Sequence, residues 1–214
     1  ASLKEVVPPE VYARWLPLKA KYIGDNDGIE RQRPMFASDE LFRKGLAHAG
    51  LSANGGVDDS IFRIATKNKI RITRTGVTVG IDSPFKAVRA FKKSKLDDVR
   101  CFAKTVEQLE SDIDAMGIRA NAWAKGDIAV IQNLSFAERD EACSDAIMNS
   151  VLSELQPEIL TIKSKARDSW LAAAEKSLAT NKSTFAMLKM KDILDAKGLV
   201  AALEAKGYLV EKPE

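Results

Sequence analysis

The sequence predicts an α/β protein, a helix-rich single domain over residues 1–214 with a small central, mixed β-sheet. Through most of the chain apolar residues recur every three or four positions, which is the period of an amphipathic helix. A few short segments instead alternate apolar with polar residues or are continuously apolar, which indicates strands. No repeat or Gly/Ser-rich linker divides the chain, so we expect one domain with a sizeable core.

The first part of the chain predicts three helices. One lies within residues 1–23, the second runs from Pro34 to a terminal Gly50, and the third covers residues 57–68. Residues 52–56 are expected to form the loop between the last two. The predicted inward positions of the first helix are Val11, Trp15, Leu18 and Tyr22.

Three segments predict the strands of the sheet. Residues 70–81 alternate apolar and polar positions, 184–188 form an apolar run, and 208–211 close the chain. A helix over 199–205 separates the last two segments. This strand–helix–strand unit is long enough for a crossover between parallel strands.

The remaining stretches predict helices. Ser83-Pro84 combines a capping residue with a proline at the first helical position, and the helical pattern then runs to 116 with a break near 92–96. Ser135 is expected to cap a helix that ends at Leu155, and a further helix covers 158–179. In the middle of the chain, the helix positions predicted to face the core are Val99, Phe102, Val106, Leu109, Ile113 and Met116.

Composition excludes several classes of function. The formal charge of +3 is too small to indicate nucleic-acid binding, and no nucleic-acid-binding motif accompanies it. One histidine and two cysteines cannot build the common four-ligand zinc sites. No apolar run is long enough to span a membrane, and the sequence does not begin with a secretory signal.

Cys101 and Cys143 are 42 positions apart on two predicted helices. In an oxidising compartment they would form a disulfide that stabilises the fold by roughly 3–4 kcal/mol. The alternative is a pair of buried thiols that pack as small apolar groups. His48 falls in the last turn of a predicted helix, where an imidazole interacts favourably with the helix C-terminus.

The stretch from Arg119 to Asp127 is the most distinctive local motif. Arg119, Asn121 and Trp123 alternate with alanines, so in an extended conformation they would share one face and form a polar ligand site. The alternative is structural: Trp123 packs in the core, and Arg119 pairs with a carboxylate.

The order of several motifs resembles the TraB/GumN family, the bacterial relatives of the Tiki and PrgY proteins. The C-terminal part carries it best: the helix from Trp170, the apolar 184–188 segment, and the ending Gly198-Leu-Val through Gly207-Tyr208-Leu-Val. Arg33-Pro34, Gly56-Val57-Asp58 and Trp123 with Gly126-Asp127 add to it. SLKEVVPPEVYARW, RANAWAKGD and FAMLKMKDIL are most similar to the GumN-type branch, which is encoded with xanthan-type exopolysaccharide genes in some bacteria.

The resemblance implies a TraB/Tiki-like, EreA/ChaN-like fold and a periplasmic or secreted protein, and it favours the disulfide between Cys101 and Cys143. It also implies that the chain is the larger C-terminal part of a precursor, because the family's first strand with its Gly-x-x-His motif would precede Ala1. The second Gly-x-x-His is replaced by residues 189–192, with Asp192 in the histidine's place. Arg74-Thr75 stands in place of the glutamate that is usual in the family. Arg167 lies one residue after the position at which the family often has an arginine.

Three hypotheses of function follow from the resemblance. The first is a non-catalytic family member that needs no cofactor and has a binding or accessory role in exopolysaccharide production. The alternative is a divergent metal-dependent hydrolase or peptidase of the Tiki type, with a site around Asp192, Arg167 and Arg119 and a divalent metal that activates water. The third is an adaptor for anionic polysaccharide. The expected partner is a polysaccharide or a protein of the cell envelope.

Overall fold

The computed structural model describes residues 2–52, 56–94, 96–111, 113–133 and 138–211. Two compact units divide the chain, and each is built from two separate stretches. Unit 1 comprises 1–53 and 83–155, and unit 2 comprises 54–82 and 156–214. The expectation of one domain over 1–214 stays a prediction. The expected cap at Ser135 and most of the expected loop at 52–56 lie outside the described residues.

Unit 1 is helical throughout its regular structure. A 3₁₀ turn at Asp27–Arg31 follows the second helix. The helices of this unit are α1 (Leu3–Val6), α2 (Pro9–Tyr22), α3 (Pro34–His48), α5 (Pro84–Lys93), α6 (Val99–Ser111), α7 (Ile113–Lys125), α8 (Ile128–Asn133), α9 (Arg139–Met148) and α10 (Val151–Leu155).

Unit 2 contains fewer helices and longer irregular segments. A 3₁₀ turn at Pro157–Thr161 precedes its longest helix. The helices are α4 (Gly56–Lys67), α11 (Ile162–Thr180), α12 (Met190–Leu194) and α13 (Leu199–Ala205).

The core of unit 1 lies where α2, α3 and α6 pack together, and α9 also packs against α6. The apolar spacing in the sequence explains this packing, because residues three or four apart lie on one helix face. Gly45 of α3 permits close approach: a Cβ at this position would lie 2.7 Å from Leu109 Cδ2 of α6. The buried residues of this core are Leu3, Val7, Val11, Trp15, Leu18, Ile29, Ala37, Leu41, Phe102, Val106 and Leu109.

Buried polar side chains hold the ends of the unit 1 helices. The Asp98 carboxylate is 3% exposed and accepts a hydrogen bond from the Met35 amide at the start of α3. This bond satisfies one of the amides that have no partner within a helix. The Arg33 guanidinium donates to the carbonyl oxygens of Phe91 and Ser94 at the end of α5. The Arg33-Pro34 motif therefore has a structural explanation.

The central mixed sheet predicted from the sequence is wrong for the described residues, which contain no strand. The segments expected to be strands, 70–81, 184–188 and 208–211, are irregular, so the expected parallel crossover is also missing there. The physical reason is that alternation specifies how one segment exposes its side chains, whereas a strand in a sheet also needs a backbone partner. No backbone–backbone hydrogen bond between described residues involves 71–82 or 182–188.

Candidate functional site

Unit 2 contains a groove of about 1120 Å³. Helices α4 and α11 and the irregular segments 70–78 and 181–187 line it. All of these elements belong to unit 2. The volume of the groove is slightly above the roughly 300–1,000 Å³ that is typical of small-molecule sites in proteins.

One face of α11 forms an apolar wall of this groove. Trp170, Ala173, Ala174 and Ser177 line it. Their spacing of three, one and three residues places them on one side of a helix. The alanines are small, which leaves space between α11 and the opposite wall. That opposite wall includes Ile61, Phe62, Ile64 and Ala65 of α4.

The charges along the groove have one sign. Among the described lining residues, Arg71, Arg74 and Lys182 are charged, and all three are basic. The Arg71 guanidinium approaches Asn181 Oδ1 at 3.5 Å, and Asn181 Nδ2 donates to Thr184 Oγ1 at 3.0 Å. Side chains of the two irregular segments therefore meet at Asn181. An apolar groove with only positive charges favours an anionic, partly apolar ligand.

The irregular segments also expose backbone. From Thr75 to Val79 burial alternates with a period of two: Thr75, Val77 and Val79 are half-buried, whereas Gly76 and Thr78 are exposed. This alternation is the side-chain pattern of an extended chain. No backbone group of 71–82 pairs with another described backbone group.

Arg167 and Asp192 both lie in unit 2, on α11 and α12. The Arg167 guanidinium donates to the carbonyl oxygens of Lys197, at 3.0 Å, and Gly198, at 3.4 Å. A Cβ at Gly198 would collide with the carbonyl oxygens of Asp192 and Asp195. Through these hydrogen bonds Arg167 stabilises the tight loop that follows Asp192. This role of Arg167 is structural. A catalytic role for either residue stays a prediction.

Arg119, Asn121 and Trp123 lie in α7 of unit 1. The extended conformation considered for them is wrong, because the segment is helical. On a helix, residues four apart share a side, so Arg119 and Trp123 lie together and Asn121 lies on another side. Trp123 is 52% exposed and does not pack in the core. Ligand binding by these three residues stays a prediction.

The cysteine pair and the histidine also belong to unit 1. Cys101 of α6 and Cys143 of α9 are joined as a disulfide, with Cα atoms 4.5 Å apart. His48 lies in the last turn of α3, as predicted, and its ring meets the Tyr22 ring edge-on at 5.4 Å. That contact is packing between α2 and α3.

The Arg139 side chain of unit 1 contacts several other side chains, and sequence patterns did not predict these contacts. Its guanidinium lies 3.9 Å from the centre of the Phe42 ring and donates to Thr105 Oγ1 at 3.1 Å. It also pairs with Asp140 at 3.1 Å. Burial lowers the pKa of Arg139, and the nearby carboxylates of Asp140 and Asp39 oppose that shift.

No group of three or more histidine, cysteine, aspartate and glutamate side chains among the described residues lies close enough together to hold a metal ion. In the part of the chain that the structure describes, no helix has the length and hydropathy needed to cross a bilayer.

The family comparison covers nearly the whole sequence. The model of the TraB/PrgY/gumN family matches residues 1–212. The chain belongs to this family. No curated protein and no solved structure matches it significantly. Membership in the TraB/PrgY/gumN family confirms the resemblance drawn from the motif order.

Arg74 is a residue at which the family resemblance and the groove coincide. The resemblance placed Arg74-Thr75 where TraB/GumN proteins usually have a glutamate, and the structure places Arg74 on the groove. The basic residues of the groove were not predicted as a site. The available signal was the run Ile70-Arg-Ile-Thr-Arg74, in which two arginines lie among β-branched residues, but sequence alone does not bring Lys182 to the same groove.

Proposed function

We propose that this chain is a non-catalytic TraB/PrgY/gumN protein that acts by binding a partner in the bacterial cell envelope, in support of exopolysaccharide production. The observation that carries this proposal is the groove of unit 2, in which every charged residue of the described lining is basic. Arg74 stands at the position where the family resemblance expects a glutamate. A guanidinium stays protonated in proteins, so it neither binds a metal ion nor acts as a general base.

The envelope location rests on the cysteines. A buried disulfide between Cys101, which is 0% exposed, and Cys143 persists in oxidising compartments and is rare in the reducing cytosol. The test is thiol labelling of the protein taken directly from its native bacterium. We expect no maleimide reaction under denaturing conditions unless a reductant is added first. Two reactive thiols without reductant would contradict the location.

The absence of catalysis is tested with the purified protein. It is incubated with a mixture of quenched fluorescent peptides and with Mn²⁺ or Zn²⁺. We expect no cleavage above a metal-only control. Metal-dependent cleavage that Asp192→Ala abolishes and the surface variant Lys176→Glu retains would contradict the proposal. That outcome would establish the hydrolase alternative.

The link to exopolysaccharide is tested by deletion of the gene in its native bacterium. We expect a reduced yield of exported polysaccharide that the wild-type gene restores. A triple variant, Arg71→Glu/Arg74→Glu/Lys182→Glu, should restore less of it, because it removes the positive charge of the groove. An unchanged yield in the deletion strain would overturn this part of the proposal.

A further inference from the structure

We infer that the groove of unit 2 binds an extended, acidic polypeptide segment of a partner protein as an added β-strand. This inference rests on the binding role proposed above and names the class of partner. Three properties of the groove carry it: unpaired backbone, apolar walls that are exposed to solvent, and basic residues without acidic counterparts among the described lining residues.

The unpaired backbone indicates a polypeptide ligand. Two segments of the chain, 71–82 and 182–188, form no backbone–backbone hydrogen bond with described residues. The groove runs along 71–78 and 182–187 within them. Amides and carbonyls presented in a row are the groups that an incoming strand pairs with, and this is how β-augmentation obtains affinity. A strand of eight residues spans roughly 26 Å, and we propose a segment of six to eight residues as the ligand.

The exposure of the apolar walls shows that the groove is not filled by the described side chains. Phe185 is 75% exposed, Ile70 60% and Ile64 59%. Large apolar side chains grouped at this exposure mark binding surfaces in soluble proteins. A partner strand that places every second side chain toward Phe185 and Ile70 would remove them from water.

The charges select the composition of the partner. Arg71, Arg74 and Lys182 have no acidic residue beside them in the described lining. An acidic segment is therefore favoured and a basic one repelled. A strand that alternates apolar and acidic residues satisfies both requirements, because one face covers the apolar walls and the other meets the guanidinium and ammonium groups.

Binding is tested with the full chain and a synthetic eight-residue peptide that alternates valine and glutamate. Two peptides serve as controls: one replaces glutamate by lysine, and one keeps the glutamates but carries N-methylated amides that cannot donate hydrogen bonds. We expect the acidic peptide to bind at least about tenfold more tightly than either control. Equal affinity for the N-methylated peptide would overturn strand addition.

The location is tested by two further measurements. On binding, amide hydrogen exchange should slow in both 71–82 and 182–188, and protection confined to other segments would overturn the inference. The triple variant Arg71→Glu/Arg74→Glu/Lys182→Glu should lose about tenfold in affinity for the acidic peptide and gain affinity for the lysine peptide. Lys176→Glu, an exposed position of α11 outside the groove lining, should leave affinity unchanged. The exchange experiment uses wild-type protein, so it tests the location even if the triple variant fails to fold.

Other occupants give different outcomes, each of which would overturn the inference. Protection of the two segments by polygalacturonate but not by the acidic peptide would assign the groove to polysaccharide. A wild-type dimer that dissociates in the triple variant would assign it to a second copy of the chain. Cleavage of the bound peptide would contradict only the non-catalytic function, whereas failure to bind without cleavage would contradict only the present inference.

Discussion

Units 1 and 2 contain helices of similar sequence character but differ in what those helices bury. Unit 1 buries Trp15 and Phe102 completely, with ring centres 5.1 Å apart, and joins α6 to α9 through a disulfide. In unit 2 the buried apolar residues among those described are Leu171 and Leu199. Helical periodicity therefore does not by itself produce a core, because the apolar face of a helix must also be covered by another element.

The two units should differ most in how much the free energy of unfolding falls when a large aromatic residue is replaced by alanine. Trp15→Ala should lower the free energy of unfolding by about 3–5 kcal/mol, because it leaves a cavity and removes the hydrogen bond from Trp15 Nε1 to Glu30. Phe185→Ala should change it by no more than about 0.5 kcal/mol, since this ring is 75% exposed. Urea denaturation of both variants measures the difference. Equal losses would mean that unit 2 has a core as consequential as that of unit 1.

The helices of unit 1 were largely predictable from the sequence. Val11, Trp15 and Leu18 are buried on α2 as expected, and α3 and α5 begin at the prolines Pro34 and Pro84. These features depend on local spacing and on the fixed backbone angle of proline, which a sequence displays directly. The lack of strands among the described residues was not predictable, because ladder formation depends on a second segment whose position the alternation of 70–81 does not specify.

The candidate site was predictable only in part. The spacing of Trp170, Ala173 and Ala174 places them on one helix face, and structure adds that this face lines a groove. Sequence alone could not bring Arg74 and Lys182 to the same groove, since more than a hundred positions separate them along the chain. Arg167 was suspected for its family position, but its contacts with the carbonyls of Lys197 and Gly198 became visible only in three dimensions.

The second prediction concerns the disulfide and is confined to unit 1. Reduction should lower the stability of unit 1 by roughly 3–4 kcal/mol, because it releases a loop closed across 42 positions. Hydrogen exchange should accelerate in α6 and α9 and remain unchanged in α11. The matched control is Cys101→Ala/Cys143→Ala, which a reductant should not destabilise further. Acceleration of α11 to the same extent would show that the two units unfold together.

The third prediction examines the packing around Arg167 in unit 2. Gly198→Ala should lower stability by about 1–3 kcal/mol, because the added Cβ meets the carbonyl oxygens of Asp192 and Asp195, which belong to the backbone and cannot rotate away. Exchange should accelerate in α12 and α13. Gly56→Ala is the control, since a Cβ there meets nothing within 4 Å. If Gly198→Ala left the stability unchanged, the loop would be able to shift and accommodate the added Cβ.

The smallest effect is a pH dependence in unit 1. Burial raises the pKa of Tyr12 above its ordinary 10.0, and the negative charge of Glu30 raises it further. The hydrogen bond and ion pair with Asp27 likewise raise the pKa of Lys19. Because the folded state holds these protons more tightly, their contribution is complete below pH 10 and declines as the pH rises above it.

Tyr12→Phe isolates the tyrosine's share of this decline. The free energy of unfolding of the wild type should fall between pH 10 and pH 11. Tyr12→Phe should fall less steeply, and the slope that remains belongs to groups such as Lys19. Urea titrations at pH 8, 10 and 11 measure both slopes. An identical slope in the two proteins would show that folding leaves the pKa of Tyr12 unchanged, and the pH dependence would then belong to other groups.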